Sequence, residues 1–104
     1  MAQAARHVTR AHSRRNPRPY DRARAMRFLA ERCPGEGFPD LTDETPDGRA
    51  EVIAHLRRVC RAMRAAGVRG AWHYSLPLHT ELARILKAEE AGIATLRQGL
   101  PLAA

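Results

Sequence analysis

Aromatic side chains are scarce: one Trp, two Tyr and two Phe make up 5% of the 104 residues, while the apolar share as a whole is 44%. Much of that apolar share is Ala, which favours helix over sheet and excludes wholesale disorder. Cysteine is also rare. Cys33 and Cys60 stand 27 positions apart with no second Cys near either, which excludes a metal-binding pair of the C-x-x-C kind. Both read as small hydrophobes on helix faces, and their spacing does not imply a disulfide.

Long apolar runs are missing too. No stretch approaches the ~18 residues that a membrane span needs, and the N-terminus lacks the apolar core of a secretory signal. No membrane partner is expected, and the cytoplasm is the simplest compartment. The acid-free, Arg- and Ala-rich residues 1–18 also have the composition of a mitochondrial transit peptide.

The N-terminal quarter has almost no acid. Residues 1–27 hold eight arginines against Asp21 alone, a net +7, whereas residues 28–104 carry ten basic and ten acidic side chains. The chain thus reads as a neutral globule with a cationic arm, an asymmetry that points to an anionic partner. Beyond Met1, residues 1–16 contain only Val8 as a large apolar side chain and cannot repay their ordering entropy by burial. Residues 1–17 are therefore expected as a basic flexible arm and 18–104 as a single helical domain. Arg6, Arg10 and Arg14 recur every four positions and would share one face if the arm became helical on a partner.

The first helix is expected at about 18–33, after Asn16-Pro17-Arg18-Pro19, with a stripe of Tyr20, Ala23, Met26, Ala30 and Cys33 widened by Phe28 and Leu29. Arg22, Arg24 and Arg27 would continue the cationic surface on its outer side. Residues 35–46 are dense in turn formers and acids and read as a loop pinned by Phe38 and Leu41. The alternating carboxylates of a calcium loop are absent from it. Thr45-Pro46-Asp47 is a strong helix start, and the second helix is expected to run to Ala66, with Gly67 as its left-handed stop. Val52, Leu56, Val59, Met63 and Ala66 form its inner stripe. Arg57, Arg58, Arg61 and Arg64 lie outside, with Arg69 following. Trp72 and Tyr74, in the link to Pro77, read as caps on the core; a stacking platform for exposed bases would use the same residue types.

The third segment, about 77–98, permits two readings. Glu81-Leu82-Ala83-Arg84 through Gly99 resembles the repressor-type helix-turn-helix of bacterial DNA-binding regulators. Ala83 would be the small residue where the helices cross, Ile93 and Leu96 the anchors of a recognition helix, and Gly99 its stop. That resemblance implies a fourth helix and DNA as the partner. Read instead as one helix, Leu82, Leu86, Glu89, Ile93 and Leu96 step by 4, 3, 4 and 3, with a lone acid in the seam, and form an interface for a partner or a second copy.

No nucleophile motif, phosphate loop or paired histidine on one helix is present, so neither an enzyme, a metal nor a cofactor is expected. The expected fold is all-α, a small three-helix bundle, or a four-helix one if the last segment divides. The expected function is phosphate binding, to DNA rather than RNA, through Arg6, Arg10, Arg14, Arg15, Arg18, Arg22, Arg24, Arg27, Arg57, Arg58, Arg61 and Arg64. The alternative is a helical adaptor or oligomerising subunit that binds an acidic protein surface.

Overall fold

The computed structural model describes residues 19–99, so the arm expected at 1–17 lies outside it. The described residues form three α-helices, α1 (Arg22–Arg32), α2 (Pro46–Arg69) and α3 (Leu76–Arg97), with a 3-10 turn at Pro34–Glu36 and no strand. The fold is all-α and bundle-like. α2 and α3 are the main packed pair, and the short connection between them makes an antiparallel hairpin. α1 lays Ala25, Met26 and Leu29, with Cys33 just beyond it, onto Val52, Leu56 and Val59 of α2 and Leu82 and Ile85 of α3. Leu29, Val52, Leu56 and Leu82 are completely buried, each stabilising the fold by about 1.5–3 kcal/mol relative to an exposed side chain.

Three local readings change. α1 is rotated from the expected stripe: Ala23 and Ala30 are exposed, and the inner line is Arg22, Met26, Leu29 and Cys33, spaced 4, 3 and 4. The helix also starts later, at Arg22, because Asp21 is its N-cap and its Oδ1 accepts from the Arg24 N–H at 3.1 Å. α2 starts as expected, with Thr45 Oγ1 accepting from the Gly48 N–H at 3.1 Å and Pro46 in the first turn. Its far end differs. The helix continues through Gly67, and the left-handed residue is Gly70, at φ 70°. The Ala71 N–H then reaches back to the Ala66 carbonyl at 2.9 Å, the six-to-one closure of a Schellman cap. Gly67 serves a different purpose. The Tyr74 ring packs so closely that a Cβ there would meet ring carbons at 3.0–3.2 Å.

The stretch with two readings is one helix. α3 is capped by Ser75, whose Oγ accepts from the Leu78 N–H at 3.2 Å, and it runs unbroken through Lys87–Gly92. Its buried line is Leu82, Ile85, Glu89 and Ile93. A turn near Lys87, as a helix-turn-helix needs, would carry Glu89 out of that line.

Candidate nucleic-acid interface

The placement of the arginines begins with one that sequence reasoning put outside. Arg22 sits on the inner line of α1, and its Nε donates to Glu89 Oε1 at 3.0 Å. Tyr20 Oη donates to Glu89 Oε2 at 2.6 Å. Arg49, buried in the first turns of α2, places Nη2 3.7 Å from Oε2, an electrostatic contact too long for a hydrogen bond. Glu89 itself is 0% exposed. The cluster joins α3 to α2 and to the start of α1. It also leaves Arg22 Nη2 and Arg49 Nε without a hydrogen-bond acceptor. The Tyr20 ring is 38% exposed, yet burial of its hydroxyl, followed by the hydrogen bond to Glu89 and the charge of that carboxylate, pushes its pKa well above the usual tyrosine value.

Arg22, expected on the outer side of α1 as a phosphate contact, thus lies on its inner line as a counter-ion to Glu89. The residues expected to form a partner interface are also placed by this arrangement. Leu82, Glu89 and Ile93 are buried inside the chain, Leu86 packs against the core and Leu96 is half-buried. They pack within the bundle. Sequence reasoning missed Arg49 altogether, although it lies three and four positions before Val52 and Ile53, on the buried stripe of α2.

The other arginines face outward. Arg24 and Arg27 are exposed on the far side of α1. On α2, Arg57, Arg61, Arg64 and Val68 are spaced 4, 3 and 4 and form one outer line. Arg57 Nε and Nη2 both donate to Glu90 Oε2, at 2.9 and 2.7 Å. Both side chains of that pair are about half exposed, so water and salt screen it and it holds Arg57 weakly. Arg58 Nη2 donates to His55 Nδ1 at 2.9 Å, which fixes His55 as the tautomer whose Nε2 donates to the Glu36 carbonyl. Among the described residues Arg24, Arg27, Arg61, Arg64 and Arg69 make no ion pair. Arg6, Arg10, Arg14, Arg15 and Arg18 lie outside the described residues.

From Val52 to Thr80 the chain contains no acid and five arginines. This segment covers most of α2, the connection and the start of α3. Two of the four acids of the 35–46 loop are held locally: Asp40 Oδ1 accepts from the Thr42 Oγ1 and N, which lowers its pKa, and Asp43 Oδ1 accepts from the Thr45 N and Oγ1, while Glu36 and Glu44 are exposed. Trp72 is not the core cap that its position suggests. It is 94% exposed, whereas Tyr74 is half-buried and shares a 2.7 Å hydrogen bond with His79 Nδ1.

A half-open cleft of about 300 Å³ lies between the end of α1, α2 and the connection, lined by Cys33, Val59, Met63, Tyr74 and Leu78 among others. Its thiol has a raised pKa, first because of burial and then because Glu36 is near, which makes it a poor nucleophile at neutral pH. Among the described residues no three His, Cys, Asp or Glu side chains are grouped to hold a metal ion, and no helix is long and apolar enough to cross a membrane. No family model, curated protein or solved structure matches the chain.

Proposed function

We propose that this chain is a small nucleic-acid-binding protein that engages phosphate through the outer arginines of α1 and α2 together with the arginine-rich residues 1–18. The observation that carries this reading is the set Arg24, Arg27, Arg61, Arg64 and Arg69. These cations lie on the outside of a folded domain, and Arg61, Arg64 and Arg69 belong to the acid-free segment 52–80. Unpaired guanidiniums on an acid-poor surface are the electrostatic footprint of a phosphate binder. If the seven net charges of residues 1–27 met duplex phosphates, affinity would fall with salt at a log–log slope of about −6. Because Arg22 pairs with Glu89 in the fold, a slope nearer −5 is expected from that region.

Fluorescence anisotropy of labelled DNA and RNA at several salt concentrations tests the reading, using the full chain and a variant with Arg6, Arg10, Arg14 and Arg15 replaced by Gln. The variant should bind more weakly with a shallower slope. Absence of binding at low salt would refute the proposal. The adaptor reading draws on the exposed Val68, Trp72 and Leu76 at the α2–α3 connection and no longer on the α3 seam. Capture of an acidic protein with no affinity for nucleic acid would favour it.

A further inference from the structure

The α2–α3 connection combines two properties that are usually kept apart. Val68, Trp72 and Leu76 are 83%, 94% and 64% exposed, so three large apolar side chains within nine positions stand in water. The same end of the hairpin belongs to the acid-free segment 52–80, and the line Arg57, Arg61, Arg64 and Val68 runs along α2 into it, with Arg69 beside it. A second copy of this basic end would be repelled, so the charge calls for an anion, and the exposed indole calls for a flat apolar surface to cover it. An unpaired nucleobase on a phosphate chain supplies both. The connection is also braced: the Tyr74 ring packs on Gly67, the Tyr74 hydroxyl is tied to His79, and the His73 ring meets the Trp72 indole edge-on at 5.6 Å. Such bracing fixes the path of the connection that presents the indole and lowers the ordering cost of binding.

We propose that the α2–α3 connection is a stacking point for an unpaired base, with Trp72 as the platform and Arg61, Arg64 and Arg69 holding phosphates of the same strand. The protein then prefers single-stranded nucleic acid to duplex. This inference rests on the nucleic-acid reading above and extends it from phosphate to base. A paired base keeps its faces inside the duplex stack, so a duplex can satisfy the arginines but leaves the indole uncovered.

Trp72 is the only tryptophan, so its emission reports this site without a label. The full chain is titrated with a short oligothymidylate, an abasic strand of the same length, a duplex, and vesicles of phosphatidylglycerol and phosphatidylcholine. Anisotropy on labelled strands measures affinity in parallel. The expected result is strong quenching by oligothymidylate and none by the abasic strand or the duplex. Trp72→Ala should lose roughly 10- to 100-fold in affinity for oligothymidylate and almost nothing for the duplex, and Trp72→Phe should recover part of the loss. Binding of oligothymidylate without quenching, with Trp72→Ala as tight as wild type, would overturn the stacking site and leave the phosphate reading standing. No binding to any strand at low salt would overturn both. A blue shift confined to the anionic vesicles would assign the surface to a lipid headgroup layer and overturn the base.

Discussion

Glu89 and Arg22, 67 positions apart, meet at 3.0 Å inside the bundle, and the carboxylate is sealed from water. A buried charge of this kind stabilises little over an apolar substitute, but it is costly to leave alone. Glu89→Ala strips the buried Arg49 and the largely buried Arg22 of their counter-charge and should destabilise the domain by about 3–5 kcal/mol. Arg22→Gln should also lower stability. By contrast, Arg24→Gln and Arg27→Gln should leave it within about 0.5 kcal/mol. A triple replacement of Arg22, Arg49 and Glu89 by apolar residues of similar volume should recover most of the loss. Urea unfolding followed by circular dichroism measures all of these.

Tyr20 gives the cluster a pH dependence on the alkaline side. Ionising it would place a charge in a site withdrawn from water and set a phenolate against Glu89, so the folded chain holds the phenolic proton more tightly than the unfolded chain does. The stabilisation is complete below about pH 10, the ordinary tyrosine value, and is lost as pH rises beyond it. Thermal melts of wild type should therefore fall steeply above pH 10. Tyr20→Phe should start lower by about 1.5–3 kcal/mol, the typical loss for a hydrogen bond to a charged group, and decline less over the same range. Parallel curves for the two proteins would refute this account.

Two helical glycines should resist the usual gain of a Gly→Ala change in a helix, about 1 kcal/mol. At Gly67 the added methyl presses on the Tyr74 ring. At Gly48 it collides with the Asp43 carboxylate, which is fixed by the Thr45 N and Oγ1. Gly67→Ala should be neutral or mildly destabilising and Gly48→Ala clearly destabilising, as read from denaturation midpoints.

Both cysteines should be sluggish toward thiol reagents at neutral pH. Burial raises the pKa of each, and Glu36 adds to the effect at Cys33. Timed labelling of native protein should modify half-buried Cys60 before buried Cys33, and both should react rapidly in denaturant. Equal native rates would contradict the packing of α1.

The binding surface makes a separate prediction. Arg61→Gln with Arg64→Gln should leave folding intact and make the salt dependence of DNA affinity shallower by about 1.5. Anisotropy at graded salt decides the matter; an unchanged slope would remove the outer line of α2 from the interface.

The helices were readable because their signals are local: Thr45-Pro46, Pro77, and the alternation of three- and four-residue steps. The polar core was not. Its members lie at positions 20, 22, 49 and 89, and a pattern that counts arginine as surface cannot place Arg22 or Arg49 inward. Their spacing from Met26 and from Val52 and Ile53 did hold the signal, since each occupies an apolar line. Glu89 was legible as a polar residue in a seam, and what neutralises it was not. Trp72 was misplaced for the opposite reason. Apolar character argues for burial, and only the path of the connection shows that this indole has nothing to cover it.

A short helix laid on a longer hairpin ordinarily frays or detaches at low cost while the rest of a domain holds. α1 carries Tyr20 and Arg22 to Glu89 at one end and Leu29 and Cys33 into the core at the other. Lifting it would break both hydrogen bonds of Glu89 and leave that carboxylate only the longer contact with Arg49, so opening at α1 is costly. Amide hydrogens of α1 should then be protected from exchange, as should those of the hairpin beneath it.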